Sequence, residues 1–361
     1  MASYEKFLQV GLALEPIHVG TGGTRIGRVD LSIVRDPVTQ VPKIPGSSLA
    51  GVYRTYVAMA EHEKNSNRQI NNKDWPIYPN CGGLGESQEK QAKTKGEKKY
   101  RRGHCGKGNC PVCTVFGFAK GKDQEGGFAG LAAFTDAHVL LFPVPTRQGP
   151  RWITCPDALR LICVEVAGVA DDALYLDDEA GNPLNLGWLL LETRKCNQMD
   201  TIKSKLGGLN VPDYIRNPLA LVPDRLFPHV VNSNLEVRTS VSINPETGAA
   251  EDKALFSYEA LPRGTVLMWE IVVKNPQHFR IGNQPITAVT TPANVHEKAR
   301  QAHPYLEHLG IGGMGTRGMG RVRVIYYNKR SDTGSVTCSE SQPSQDEVES
   351  ETRTQEVGGH E

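Results

Sequence analysis

His104-Cys105-x4-Cys110-x2-Cys113 combines the residue types and spacing of a metal site. A Cys-x2-Cys pair grips one Zn2+ from a tight turn, and a third thiolate five residues earlier closes on the same ion without an intervening helix. The fourth ligand is either His104 or Cys81. Side chains of adjacent residues diverge, so His104 and Cys105 binding together would need a bent loop, which favours Cys81. Such a centre would pin a long insertion rather than react; the alternative is free thiols in a loop.

Asp30 is the candidate reacting group. It lies two residues past Arg28 at the edge of a short apolar strand. A lone Asp there is most simply a solvated turn residue, although a carboxylate can also hold a divalent cation such as Mg2+. His18, ahead of the Gly-rich, Arg-bearing loop Gly20–Gly27 (with Arg25), can move protons near neutral pH or simply cap a strand.

Two stretches suit a polyanion. The turn Pro45-Gly46-Ser47-Ser48 opens an apolar-periodic helix (Leu49, Val52, Tyr53, Tyr56), with Ser47 or Ser48 as its N-cap. The free N–H groups and positive dipole end of that helix, with Lys43 and Arg54 nearby, would hold a phosphate. The second, Gly310–Arg321, has six Gly in twelve residues. It lets backbone approach a ligand closely, yet matches neither the Rossmann fingerprint nor the P-loop. Gly312, Gly313, Gly315, Thr316, Arg317 and Gly318 are its candidate contacts. In the hairpin region 234–262, Arg238 with Leu255, Phe256 and Leu261 offers cationic and apolar groups able to wedge between stacked bases.

The elements that must position these residues are mostly strands. Residues 6–14 alternate with Leu8, Val10, Leu12 and Leu14 on one face, and His18 ends that strand. Further strands are expected over 129–142, 159–166, 186–192, 235–243, 265–274 and 320–327, with an acidic turn region at 170–185. Helical patterns follow Pro45, close the 219–232 segment, and run over 292–309 with a break at Pro304. Several strands with few helices predict an α+β fold, and the order is compatible with a ferredoxin-like βαββαβ core.

With 39% hydrophobic and 22% charged residues over 361 positions, the chain is that of a globular protein with a sizeable core. Its net charge of +1 hides an asymmetry. Residues 86–107 hold six Lys and two Arg against three Glu, a balance of +5 suited to an acidic partner such as nucleic acid. Residues 331–361 hold eight acids against one Arg, and their Ser/Thr/Glu/Gln-rich composition predicts a disordered acidic tail. No run of 18 apolar residues marks a membrane helix, and MASYEKFLQV lacks a signal-peptide profile. A cytoplasmic protein whose eight Cys are reduced or metal-bound is expected.

Five segments together resemble one family: VDLSIVRDPVTQVPKIPGSSLAGVYR (29–54), CPVCTVFGF (110–118), FPVPTRQGPRWITCP (142–156), RTSVSINPETGAAEDKALFSYEALPRGT (238–265) and GIGGMGTRGMGRVRV (310–324). In order and character they are similar to the RAMP-superfamily backbone subunits of type III CRISPR effector complexes, most of all the Cmr type (III-B), then the Csm type (III-A). The resemblance implies a ferredoxin-like (RRM-like) core spanning 1–330, decorated by a zinc-bearing lid at about 62–128 and a thumb β-hairpin at about 234–262. It implies binding of crRNA, in part by the glycine-rich loop, assembly into a filament with further copies and other effector subunits, and Mg2+-dependent cleavage of target RNA. It makes Asp30 the residue that matters for cutting, lets Tyr258 and Glu259 of the thumb join His18 in completing the site, and raises the expectation of structural Zn2+, because Csm-type members carry a similar Cys/His cluster. Three rivals remain: a crRNA scaffold that does not cut, a guide-processing endonuclease of the same superfamily, and a stand-alone zinc-stabilised RNA-binding protein.

Overall fold

Hydrophobic alternation in Tyr4–Ala13 sets up the centre of the molecule. In the computed structural model, which describes residues 2–22, 29–70, 73–83, 103–119, 126–177, 181–251 and 254–330, this strand is interior to a large mixed sheet. Val266–Lys274 lies antiparallel on one side of it and Val322–Tyr326 antiparallel on the other. Leu8, Val10 and Leu12 enter one apolar layer with Val266 and Met268. Phe7 and Ala13 enter the opposite layer with Trp269, Ile271 and Val273. Both faces are therefore covered, as the period-two pattern of these strands requires.

Beyond Val266–Lys274 the sheet continues through Ala137–Thr146, Gly149–Thr154, Leu219–Leu221, Ala173–Leu176, Leu189–Lys195 and Leu184–Leu186. Pairing is parallel between Leu219–Leu221 and Gly149–Thr154, and between Leu189–Lys195 and Ala173–Leu176. Outside this sheet, Glu236–Ser240 pairs antiparallel with Phe256–Ala260 as a separate hairpin. Residues Met1–Arg330 form one compact unit. Arg25, Arg28, most of the basic segment 86–107 and the acidic tail lie outside the described residues.

The helix Gly46–Lys64 buries Leu49, Tyr53, Tyr56, Val57 and Ala60, as its periodicity predicts. Its N-cap is Pro45, not Ser47 or Ser48, and no capping side chain comes from its own sequence. Asp136 supplies the cap instead, its Oδ1 accepting from the Gly46 N–H at 2.8 Å. A Cβ at Gly46 would sit 2.4 Å from the Phe134 carbonyl oxygen, so this approach requires glycine.

Four expectations are corrected. Residues 159–166 are not a strand: Pro156–Arg160 is helical and a turn follows, because Pro at the first helical position favours helix and Leu159, Ile162 and Val164 reach the core from that turn. Residues 186–192 are not one buried strand but a hairpin turning at Gly187 (φ 63°), which leaves Trp188 and Leu190 exposed. The acidic region 170–185 contains the strand Ala173–Leu176. The first strand stops at Ala13, so His18 lies beyond it.

The helices Pro292–Ala299 and His303–His308 place two imidazoles in apolar surroundings. His296 stacks on Phe7 with ring centroids 3.9 Å apart and lies 3.1 Å from the Gln9 amide nitrogen. Burial, then the Arg300 charge, pushes His296 down to about 4, and burial pushes His303 down to about 3. The unfolded chain, whose imidazoles titrate near 6.5, binds more protons than the fold below that pH. This contribution to stability is complete above pH 6.5 and is lost progressively as pH falls towards 4 and then 3. Thermal unfolding followed by circular dichroism should show Tm falling across this window, with a shallower fall in His296→Gln; parallel curves would exclude His296 as a cause.

Candidate active site and metal centre

The strand Phe256–Ala260 gathers residues that are far apart in sequence. Leu31 pairs with Tyr258 in parallel: its N–H donates to the Ser257 carbonyl at 3.1 Å, and its carbonyl accepts from the Glu259 N–H at 3.1 Å. This fixes Asp30 opposite Ser257. Asp30 is exposed, and its Oδ2 accepts from the Ser257 N–H at 2.7 Å and the Ser257 hydroxyl at 2.9 Å. These bonds, the backbone one first, hold the Asp30 carboxyl below its usual range, so it stays ionised.

His18 reaches the same strand by another route. Ile17 and Leu261 exchange two backbone hydrogen bonds of 2.9 Å, which seats His18 with its Nδ1 2.6 Å from the Glu259 carbonyl oxygen. A carbonyl only accepts, so Nδ1 carries the proton and Nε2 is left as the acceptor. The ring is buried and meets Tyr258 edge-on at 5.7 Å. Asp30 and His18 are thus attached two residues apart along one strand, a rise of about 7 Å.

Tyr258 is buried against His18 and Phe256, whose ring centroid lies 5.9 Å away. Glu259 is buried and its carboxylate is already committed: Oε2 accepts from Arg35 at 2.8 Å and from the Ile33 N–H at 3.3 Å. Through this oxygen Glu259 holds the 31–35 segment in place.

The glycine-rich loop closes the site from the C-terminal side. The Gly313 N–H donates to the His18 carbonyl at 2.8 Å. At Gly312 (φ 90°) a Cβ would lie 2.3 Å from that same oxygen, so part of the loop's glycine content serves to seat His18. Gly315, Thr316, Arg317 and Gly318 remain exposed in one short turn. Arg317 docks this turn on the hairpin, donating to Ser240 Oγ at 2.7 Å with its guanidinium 5.6 Å from the Phe256 ring centroid.

The other anion-binding candidates are engaged within the chain. Lys43 pairs with Asp136 at 2.7 Å and Asp36 at 3.2 Å, and the hydrogen bond to Asp136 raises its pKa most. With Asp136 also on the Gly46 N–H, that helix N-terminus already holds an anion, and Ser48 lies beside it with its N–H on the Pro45 carbonyl. Arg54 donates to the Gly117 carbonyl, and Arg238 pairs with Glu236 at 2.5 Å. Ser47 is exposed. Ser257, Arg35 and Asp136 were not legible as site residues, since each acts through a partner more than 90 positions away except Asp136, which lies 90 from Gly46.

Cys81, Cys105, Cys110 and Cys113 are all buried, and their sulfurs lie within 4.8 Å of one another. Cys105 and Cys113 are 3.6 Å apart. Cys81 comes from the end of the short helix Ile77–Asn80, and Cys113 from Pro111–Phe116. Thiols converging on Cys110, Cys105 first, pull its pKa well below the usual range, and the Arg68 charge adds to this. His104 stays outside the quartet: its ring hydrogen-bonds the Cys81 backbone, and burial, then the Arg54 charge, lowers its pKa. Between the two candidates for the fourth position, the fold brings in Cys81.

Residues 12–323 match the family model of the RAMP superfamily, and the chain belongs to that superfamily. Within it, the chain is similar to the CRISPR system Cmr endoribonuclease Cmr4 of Pyrococcus furiosus, 26% identical over 336 residues that cover 87% of this chain and 94% of that one. A shorter likeness, 37% over 60 residues, joins 16% of this chain to 27% of the Csm3 endoribonuclease of Streptococcus thermophilus. In fold it is similar to a chain of the type III-B Cmr-beta complex bound to cognate target RNA, with a TM-score of 0.58 at 15% identity, covering 90% of this chain and 98% of that one. Oligomeric Cmr4 from Pyrococcus furiosus gives a TM-score of 0.52 at 18% identity over 91% and 99%. Among the described residues no helix is long and apolar enough to cross a membrane.

Proposed function

We propose that this chain is a backbone subunit of a type III CRISPR ribonucleoprotein. It binds the guide crRNA, repeats along it in several copies beside other effector subunits, and cleaves the paired target RNA at regular intervals by metal-dependent endonucleolysis. The likeness to Cmr4 over most of both chains supports the assignment. The observation that carries the chemistry is the convergence of Asp30, His18 and the Gly310–Arg321 loop on Phe256–Ala260.

We read the core as ferredoxin-like. Its four central strands stand in the order last, first, third, second, all antiparallel, with Gly46–Lys64 and Pro292–His308 as the crossovers. The segment around the cysteines is the lid, and the hairpin Glu236–Ser240/Phe256–Ala260 is the thumb.

Asp30 fits a cation that the substrate helps to hold. Mg2+ is commonly bound through one or two carboxylates plus substrate phosphates and water. Among the described residues, Oδ1 of Asp30 accepts no hydrogen bond from another residue, and Asp30 belongs to no group of three or more converging His, Cys, Asp or Glu side chains. When bound there, Mg2+ would stabilise charge on the scissile phosphate. His18 Nε2 would accept the proton of the 2′-hydroxyl next to that phosphate as its oxygen bonds to phosphorus, the P–O5′ bond breaks and the leaving 5′-oxygen takes a proton from water, while the Glu259 carbonyl fixes the tautomer. The glycine-rich turn presents backbone N–H groups and Arg317 to the RNA backbone.

The cysteine quartet fits Zn2+. Four thiolates at a Zn–S distance of about 2.3 Å stand about 3.8 Å apart in a tetrahedron, and sulfurs that all lie within 4.8 Å of one another, with 3.6 Å for one pair, suit that geometry. Four protein ligands leave no open position, which makes the site structural.

Assembly with a guide of known sequence, Mg2+ and an end-labelled complementary target should yield fragments at regular spacing. An intact target, bound as tightly as before, would support the non-cutting scaffold instead. Arg317→Ala should weaken guide binding and flatten its dependence on salt by about one unit of log–log slope, one phosphate contact. Filter binding across a salt series reads this, and an unchanged slope would remove Arg317 from the RNA path.

A further inference from the structure

Asp30 alone does not determine which way its carboxylate points. It sits in an exposed bend just after residues 23–28, a setting in which a free acid samples several rotamers. Ser257 removes that freedom. Its N–H at 2.7 Å and its hydroxyl at 2.9 Å both bind one oxygen, Oδ2, and the hydroxyl in turn accepts from the Asp30 N–H at 3.3 Å. The hydroxyl is thus used in both directions, tying the backbone and the side chain of the same residue. The Leu31–Tyr258 bridge beside it keeps Ser257 in register with Asp30.

We propose that Ser257 is the positioning residue for cleavage: it clamps Oδ2 so that Oδ1 alone is presented to the metal and the scissile phosphate. The inference rests on the cleavage reading above. Two donors on one oxygen leave the other as the more available ligand and set the plane of the carboxylate. The clamp also ties the cut to the hairpin. Ser257 belongs to Phe256–Ala260, whose partner strand Glu236–Ser240 pairs Thr239 with Ser257. Arg317 joins that partner strand to the glycine-rich loop through Ser240. A shift of the hairpin therefore withdraws two of the Asp30 donors at once. Cleavage is competent only where the hairpin is seated, which links seating of the thumb to presentation of the acid.

The test uses the assembled complex with guide RNA. Ser257→Ala should cut about 10–100-fold more slowly, the usual effect of losing a partner that orients a metal ligand, with guide and target affinities within about two-fold of wild type. Ser257→Thr, which keeps the hydroxyl, should restore most of the rate. Independently of turnover, Mn2+ binding is followed by electron paramagnetic resonance in the complex held with a target carrying 2′-deoxy nucleotides at the cleavage positions. The Mn2+ that Asp30→Asn eliminates should bind several-fold more weakly in Ser257→Ala. In the double variant Asp30→Asn/Ser257→Ala, cutting should be no slower than in Asp30→Asn alone, because Ser257 acts through Asp30. A wild-type rate and wild-type Mn2+ affinity in Ser257→Ala would overturn the proposal, as would a loss of target binding equal to the loss of cutting, which marks a purely structural role. A wild-type complex that binds target yet never cuts would overturn the cleavage reading itself, and this proposal with it.

Discussion

Asp30→Asn should slow target-RNA cutting by about a hundred- to a thousand-fold or more, while guide and target binding stay within experimental scatter of wild type. Asn preserves the geometry. Its carbonyl oxygen can take the place of Oδ2 and still accept from the Ser257 N–H and hydroxyl, so the bend at residues 29–31 and its bridge to Tyr258 persist. Its amide nitrogen then occupies the Oδ1 position, where it offers protons to a cation instead of lone pairs. Binding rests on many phosphate contacts and on base pairing, and one neutralised acid scarcely alters their sum. Cleavage depends on charge stabilisation at a single phosphate, and the whole of that term passes through this one oxygen. EDTA should reproduce the defect in the wild-type complex, and Mg2+ should reverse it. The Ser257 hydrogen bonds hold the carboxyl below its usual range, so Asp30 stays ionised wherever an ordinary carboxylate does. Any loss of rate between pH 7 and 5 therefore belongs to another group. Denaturing gels of labelled target and filter-binding isotherms on the same preparations settle the matter: equal rates for both proteins would remove Asp30 from the chemistry.

Cys113→Ser should cost about 4–5 kcal/mol or more of stability, the range in which loss of a structural metal falls. Three reasons make this centre expensive to break. The four sulfurs are buried, so a thiolate deprived of its ion has neither water nor metal to satisfy it. The quartet joins segments that share little regular structure: Cys81 after a four-residue helix, Cys105 and Cys110 in a loop, and Cys113 in a six-residue helix. Those segments pack against the crossover helix, and the four cysteines share one apolar layer with Val57, Ala58 and the central strands, so losing them uncovers the main core. A serine hydroxyl is a poor zinc ligand and holds the ion weakly. Elemental analysis of protein purified without chelator should give about one Zn2+ per wild-type chain and less in the variant, with a Tm lower by ~10 °C, taking about 2 °C per kcal/mol, the large-domain end of the range. A metal-free wild type of unchanged Tm would show the quartet to be four packed thiols. On the proposed reading, Mg2+ should restore cutting after brief chelation without any Zn2+ being added, since Asp30 is not a member of the cysteine quartet.

Some of this architecture follows from local pattern. The strands Tyr4–Ala13 and Val266–Lys274 carry their two-faced apolar alternation openly, and the helix after Pro45 shows its buried stripe at helical spacing. The cysteine spacing shows that three thiolates can share one ion. Pattern misleads where a residue is claimed by something distant. Lys43, Gly46 and Arg54 read as a phosphate cradle, and local pattern does not show that Asp136 and the Gly117 carbonyl, contributed by other elements, bind them in the fold. Residues 159–166 alternate like a strand, Leu159, Leu161 and Cys163 against Ile162, Val164 and Val166, yet a helix and turn deliver Leu159, Ile162 and Val164 to the core, because apolar burial is indifferent to which backbone path achieves it.

The site itself belongs to the tertiary structure. Asp30 in sequence is one acid in a bend. It becomes a candidate reacting group with a defined free oxygen only because Ser257, 227 residues away, binds the other one. His18 gains its tautomer from the carbonyl of Glu259, 241 residues away, and the Glu259 carboxylate is itself held by Arg35, 224 residues away. Residue types and short spacings are set by the chain alone. Orientation, ionisation and availability of a lone pair depend on which donors the fold brings within 3 Å, and hydrogen bonds of that length carry no signature in the local sequence.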